Sequence, residues 1–501
     1  MDFDTQLVSK ILDPIHGIIR LTDLEVKCID HPLFQRLRTI KQNTFLYKVF
    51  PSAMHTRFEH SLGVMNLSYE ILKHLQLNSY RFAKKNINKH LFTYMGKLPN
   101  TNIQELRLAA LFHDIGHGPM SHQFDSFLPS KTYLKKHIGS KFPELFNMIK
   151  GEKVEHEHIS LIFVRAIYDS LNTEDKEKID INNVMKIIES NYSDKSIFTK
   201  IDDKKIDILP MLTSIISSCP IDADRMDYLQ RDGYFSGVKC GVYDFNRLFM
   251  SIVPVVDHNK LYLAYTESCI DSIAEFINAR ANLFSQVYYH KTNRAFSSMM
   301  GTICNIASSG NAQNIFCFNE SANPDEENKI SLIQKFYLKN SDSYFLNEQL
   351  KTLLATSEKP EIGLKILNDL NSRKPWVKKY EAKVFPPNKS ITDNIDKEFR
   401  ENIENKISAI ICNVVSNEYF TVDVMTDNAF KDIDKTEIKL LTKTFAGNYN
   451  LKRFDECGDK LNRYQSIKYF IRVFIAPEFS ACLTDNVLEE IESCKNELLK
   501  L

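Results

Sequence analysis

Residues 111–122 read Leu111-Phe-His-Asp-Ile-Gly-His-Gly-Pro-Met-Ser-His122, an apolar run that ends in a glycine break followed by histidine. Leu108, Leu111, Phe112 and Ile115 fall at helical spacing, so His113 and Asp114 are predicted on a helix packed into a core. Gly116, Gly118 and Pro119 must stop that helix, which throws His117 and His122 into the space just past the pair. Three histidines and an aspartate within ten residues, set around a glycine break, are hard to explain as packing.

A bare His-Asp pair says little in a chain with 14 histidines, and its ordinary reading is a buried hydrogen bond. Two flanking segments change the weight: Arg57-Phe-Glu-His-Ser-Leu-Gly63 and Ile221-Asp-Ala-Asp-Arg-Met-Asp-Tyr228. His60, His113, Asp114 and Asp224 then form a mixed nitrogen and oxygen ligand set. Such a set suits one divalent ion among iron, manganese, zinc, nickel and magnesium.

Composition excludes several classes. Lysine plus arginine and aspartate plus glutamate both number 64, so no global field draws the chain to nucleic acid or membrane. A nucleic-acid surface would have to be a local basic patch. The 10 cysteines include no C-x-x-C spacing, which argues against a zinc ribbon or a dithiol redox motif. The start is acidic with no apolar leader, and no apolar run is long enough to span a bilayer. A cytoplasmic protein with reduced thiols is expected.

Helices are expected over 22–80, interrupted by a proline-containing loop at 51–55, then over 103–115, 155–170, 181–191 and 206–217. Val253–Tyr265 alternates around Asp257-His-Asn259 and predicts a β-hairpin. A long helix from about 267 to 305 is expected next, then a surface loop or linker at 307–329 rich in Asn, Ser and Glu. Strands at Ala382–Pro387 and Tyr419–Met425 and a final amphipathic helix suggest a smaller α+β lobe.

One resemblance gathers these motifs. Asp13-Pro-Ile-His-Gly-Ile-Ile-Arg-Leu21, Phe34-Gln-Arg-Leu-Arg-Thr-Ile-Lys-Gln42, Val49-Phe-Pro51, the ligand segments and Tyr288-Tyr-His-Lys291 follow a fixed order. The chain resembles the HD-domain phosphohydrolases, and within them the deoxynucleoside triphosphate triphosphohydrolases, both the mammalian members that carry a sterile-alpha-motif domain and the bacterial dGTPase-like proteins. No sterile-alpha-motif domain is expected ahead of the HD region, which starts within about ten residues of Met1. The resemblance implies a mainly α fold: a helical HD core over 1–306, the linker at 307–329 and an α+β lobe over 330–501.

The resemblance also assigns roles. It supports His60, His113, Asp114 and Asp224 as metal ligands. It sets His117 and His122 against the α-phosphate and the leaving 5′-oxygen, with His156 as a further catalytic histidine oriented by Asp125. Histidine titrates near neutrality, which suits a general acid for a departing alkoxide. Arg57, Arg225, Arg280 and Lys291 fall where the family binds phosphates, and Gln42, Tyr228, Asp232 and Tyr288 where it holds the sugar. Asn43 stands where mammalian members have leucine against the 2′-position. Asp30, Gln35 and Arg38 match a regulatory guanine-nucleotide pocket between subunits, and a homotetramer or larger assembly is implied. Magnesium is expected with the nucleotide phosphates.

The expected reaction is hydrolysis of a deoxynucleoside triphosphate at the α-phosphate, giving deoxynucleoside and inorganic triphosphate. Two alternatives stay open: an HD phosphohydrolase acting on a monophosphate, ribonucleotide or signalling nucleotide, and a nucleotide-sensing or nucleic-acid-binding protein with a vestigial site.

Overall fold

The computed structural model describes residues 2–84, 95–201, 203–217, 219, 221–308, 315–319, 325–385, 393–427, 438–445, 449–454 and 468–498. Among the described residues, the helices of the interior include α1 (Arg57–Lys84), α2 (Asn100–Phe112), α3 (His156–Ser170), α4 (Ala223–Ser236), α5 (Ile270–Leu283) and α6 (Lys291–Ser308). The fold is mainly α with a smaller sheet-containing region toward the C-terminus, as the sequence implies.

α2 is buried on nearly every face, as expected of a helix that is a core element rather than a surface one. Leu106, Leu108 and Leu111 are fully inaccessible, each worth about 1.5–3 kcal/mol of transfer. Its buried Arg107 is tolerated because Glu25 pairs with it, Nε to Oε1 at 2.6 Å. α1 packs against α2 and α4. Gly63 sets how closely α1 meets α4, since a Cβ there would lie 1.9 Å from Asp227 Oδ1.

Three features differ from the sequence reading. The helix expected to carry the ligand pair ends at Phe112, with His113 as its C-cap, so the pair sits at the helix end rather than within it. The long helix expected over 267–305 is broken: a π-helical turn, Phe284–Tyr288, separates α5 from α6. Its Tyr289 N–H reaches back to Phe284 O at 2.8 Å, and Arg472 Nη1 donates to Tyr289 O at 2.6 Å. That external donor compensates the carbonyl freed by the break.

The third concerns the boundary. Ile333 and Tyr337 of the helix Glu326–Lys339, and Leu367 and Leu370 of the helix Pro360–Asn371, share one apolar cluster with Leu111 and Phe163. The main core therefore extends past residue 306. Part of the expected linker lies outside the described residues, but Phe316 and Phe318 within it are buried.

The predicted hairpin is present, with strands Ile252–Asp257 and Lys260–Thr266. His258 and Asn259 both take positive φ, 48° and 59°, the turn whose twist matches an antiparallel pair. Lys439–Lys443 pairs in parallel with Lys260–Thr266, so a late segment completes an early sheet. A separate sheet places Lys468–Ile475 between Val377–Val384 and Phe420–Asp427, all antiparallel. Ile403, Ile407 and Ile411 at helical spacing, together with Ile491, cover one face of that sheet. Among the described residues no helix is long and apolar enough to cross a membrane.

Candidate metal centre and active site

The four expected ligands converge from three elements: His60 from the first turn of α1, His113 and Asp114 from the end of α2, and Asp224 from the first turn of α4. One nitrogen each of His60 and His113 and one oxygen of Asp224 all lie within 4.8 Å of one another. His60 Nε2 stands 3.1 Å from Asp224 Oδ1 and 3.6 Å from Asp114 Oδ2; His113 Nε2 stands 3.5 Å from Asp114 Oδ1. Both Nε2 atoms are buried and lack a properly aligned hydrogen bond. Imidazole nitrogens aimed at carboxylates without bonding to them fit a shared divalent ion.

The outer atoms of these rings are held. His60 Nδ1 bonds Asp227 Oδ2 at 2.7 Å, and His113 Nδ1 bonds Ala110 O at 2.8 Å, which leaves Nε2 of each ring facing the site. Asp227 is held in turn by Arg231 Nε at 2.8 Å and His16 Nε2 at 2.6 Å, and Arg231 reaches Asp13 at 2.9 Å. Burial opposes a charge on His60, yet Asp224 and Asp227 push its pKa up to about 10. Burial likewise opposes the Asp227 anion, but Arg231, His16 and His60 hold it well below the usual carboxylate range. The surroundings attract a cation.

Next to this quartet lies a histidine cluster. His117 and His156 stack with centroids 3.6 Å apart, and His122 stands 4.8 Å from His117 and 4.9 Å from His156. His156 Nδ1 bonds Asp125 Oδ2 at 3.1 Å. The opposite ring nitrogen is 3.3 Å from Glu157 Oε1. Burial, Arg57 and His156 lower the His117 pKa well below the ordinary value, which favours the neutral ring. His122 is at the rim, its side chain 69% exposed.

Gly116 lets this loop lie against α3, for a Cβ there would fall 2.0 Å from His156 O. Ser160 Oγ then accepts from Gly116 N at 2.8 Å and donates to His113 O at 3.1 Å. His158 closes the α3 capping box by accepting from Glu155 N at 2.9 Å.

A third group forms the far end. Asp232 receives His55 Nε2 at 2.6 Å, Asn43 Nδ2 at 2.9 Å and the Tyr288 hydroxyl. Burial favours its neutral form, but these three donors keep it ionised, below the usual range. Asn43 is thus tied to Asp232 rather than to its own backbone. The π turn at Phe284–Tyr288 brings Tyr288 to this end.

One cavity of about 380 Å³ joins all three groups, lined by Gln42, Asn43, Arg57, His113, Asp114, His117, His122, His156, Asp224, Tyr228, Asp232 and Tyr288 among others. Arg57 enters it bonded to Asp114 and, through Nε, to Ser121 Oγ at 3.0 Å. Three expected phosphate cations are not among its walls. Arg225 pairs with Asp222, Arg280 Nε bonds Tyr228 Oη at 3.2 Å, and Lys291 is exposed at the start of α6.

The expected regulatory residues cluster elsewhere: Arg38 Nε bonds Gln35 Oε1 at 2.9 Å and its guanidinium stacks on Phe58, while Gln35 Nε2 bonds Ile29 O at 2.8 Å. Asp30, at the end of the preceding helix, is exposed.

Sequence reading missed Asp227, Arg231, His16, His55 and Arg36. Arg36 is buried and donates to the carbonyls of His117 (2.8 Å) and Ile115 from beneath the loop, its guanidinium over Tyr337. Asp227 had a legible signal, being three residues after a ligand on the same helix; His55 had none beyond its nearness to α1.

Residues 57–232 match the HD domain family. A deoxynucleoside triphosphate triphosphohydrolase SAMHD1 homolog of Dictyostelium discoideum is 24% identical over 510 residues, spanning 100% of this chain and 82% of the homolog. Deoxynucleoside triphosphate triphosphohydrolase SAMHD1 of Bos taurus is 29% identical over 313 residues, 58% of this chain and 46% of the bovine protein. An uncharacterized protein of Methanocaldococcus jannaschii is 29% identical over 290 residues, 58% of this chain and 48% of its own length. The chain thus spans about half the length of the archaeal and bovine relatives. A crystal structure of a hypothetical protein from Aquifex aeolicus shares the fold, with a TM-score of 0.59, 21% identity and coverage of 96% of this chain and 99% of that one.

Proposed function

We propose, on the premise that this chain carries an HD domain and resembles the HD-domain dNTPases, that it is a metal-dependent deoxynucleoside triphosphate triphosphohydrolase. The observation that carries this reading is the single cavity. It joins a divalent-ion ligand set, a histidine cluster and a carboxylate ringed by hydroxyl and amide groups. That sequence of chemistries fits phosphate, leaving oxygen and sugar hydroxyl, taken in order along one ligand.

His60, His113, Asp114 and Asp224 would hold the ion. When bound, a divalent ion there supplies Lewis-acid chemistry, polarising a phosphoryl oxygen and making water more acidic. Arg57, fixed by Asp114 and Ser121, presents a guanidinium to phosphate charge. Water attacks the α-phosphorus as the bond to the 5′-oxygen breaks; a histidine of the cluster gives that oxygen its proton, and the proton shed by the water restores the histidine. Asp125 fixes the tautomer of His156 for this task. Asp232 accepts from the 3′-hydroxyl, and Tyr288 lies along the deoxyribose.

Incubation of the metal-loaded protein with each dNTP and NTP, followed by anion-exchange separation, tests the reading. Inorganic triphosphate is expected from the deoxynucleotides. Pyrophosphate or orthophosphate would assign the site to another nucleotide reaction, and no turnover with any divalent metal would make it a binding site.

Asn43 bears on sugar choice. Leucine at this place would crowd the 2′-position, whereas an amide can bond a hydroxyl there through the oxygen not engaged with Asp232. Deoxynucleotides are expected to stay preferred, by a narrower margin than leucine would give. Asn43→Leu should widen the dNTP-to-NTP ratio of kcat/KM; an unchanged or smaller ratio would remove this residue from reading the sugar.

The assembly implied by the family, a homotetramer or larger with nucleotides around Asp30, Gln35 and Arg38, belongs to the same proposal. Sedimentation with and without GTP and dNTPs tests it, and a monomer under every condition would contradict it.

A further inference from the structure

Asp342 lies far along the chain from every residue of the cavity, in the short helix Asp342–Tyr344, and is only 5% exposed. Its two carboxylate oxygens serve two different backbone segments. Oδ1 accepts from Met120 N at 2.7 Å and Oδ2 from Lys41 N at 2.8 Å.

The first segment carries His117 and His122. Between them Met120 and Ser121 both take left-handed conformations, φ 64° and 52°, which side chains other than glycine rarely adopt. Such a turn persists only where surrounding contacts over-determine it. The second segment leads into Gln42 and Asn43, which line the cavity. The two are also stitched by Ser121 Oγ to Lys41 O at 3.0 Å and Thr44 Oγ1 to Met120 O at 2.9 Å. Asp342 is the part of this junction contributed from beyond residue 306.

We propose that Asp342 is a positioning residue: its carboxylate clips the strained His117–His122 loop to the Lys41–Thr44 segment and so fixes the histidines relative to Gln42 and Asn43. The side chain suits the task because two backbone N–H donors need two acceptor oxygens, which a carboxylate has and an amide lacks. The kinetic part rests on the dNTPase reading; the placement of the loop does not.

The test compares the full-length wild type with Asp342→Asn and Asp342→Ala. Asparagine keeps one acceptor and turns an NH₂ toward the other donor, so it should be intermediate. A misplacement of about 1 Å can cost about a hundredfold in rate, and kcat is expected to fall about tenfold in the asparagine variant and about a hundredfold in the alanine variant. KM should stay within about threefold and metal content should not change. In the zinc-loaded protein, ¹³C-histidine NMR should show the His117 and His122 ring signals displaced while the His60 signal holds.

An alanine variant within about threefold of wild-type kcat, with those ring signals in place, would overturn the proposal. So would simultaneous loss of the His60 signal and of bound metal, which marks Asp342 as a general folding residue. If wild type hydrolyses no dNTP, the substrate reading fails, while the ring signals still decide whether Asp342 sets the loop.

Discussion

Asp224→Ala and His113→Ala are each expected to abolish hydrolysis, with losses beyond about a thousandfold, while leaving the fold largely intact. Each ligand comes from a different helix end, so losing one opens the coordination sphere without emptying a core position. A catalytic ion supplies several kcal/mol of transition-state stabilisation, and about 4 kcal/mol corresponds to a thousandfold. Metal analysis should find about one tightly held ion per subunit in wild type and clearly less in both variants. Activity within about tenfold of wild type in both would remove the quartet from catalysis. Loss of activity with unchanged metal content would move these residues to another role.

His122→Ala and His156→Ala are expected to keep metal and nucleotide binding but to lose turnover by about a hundredfold to ten-thousandfold, the range of a missing general acid. An interaction made only in the transition state lowers kcat and kcat/KM together. The two variants need not be equal. His156 is buried and held by Asp125, whereas His122 lies at the rim, where its place along the leaving oxygen depends on the loop. A raised KM with unchanged kcat would reassign either histidine to substrate positioning.

The convergence of the four candidate ligands was legible because each member sits in a short segment whose local chemistry is distinctive: a helix start, a glycine break, a cluster of aspartates. The helical core and the hairpin at 252–266 were legible for a related reason, since periodicity is a local property. The network behind the ligands was not. Asp13, His16, Asp227 and Arg231 meet across more than 200 residues of sequence, and no local pattern marks such a meeting. Arg36 stands in a segment rich in basic residues, and only the structure shows it beneath the loop. The break at Phe284–Tyr288 was hidden because its sequence keeps helical periodicity; the π turn is accompanied by a donor, Arg472, that arrives from the far sheet. The helices after residue 326 looked like a separate lobe because Asn, Ser and Glu precede them, yet Tyr337 stacks under Arg36 and Asp342 bonds the His117–His122 loop.

The reaction itself is tested most directly by running one turnover-rich incubation with a dNTP in ¹⁸O-water and weighing both products by mass spectrometry. Attack of water on the α-phosphorus with departure of the 5′-oxygen predicts unlabelled deoxynucleoside and inorganic triphosphate carrying one ¹⁸O atom. A nucleoside mono- or diphosphate among the primary products, label in the deoxynucleoside, or no turnover by metal-loaded protein would contradict it.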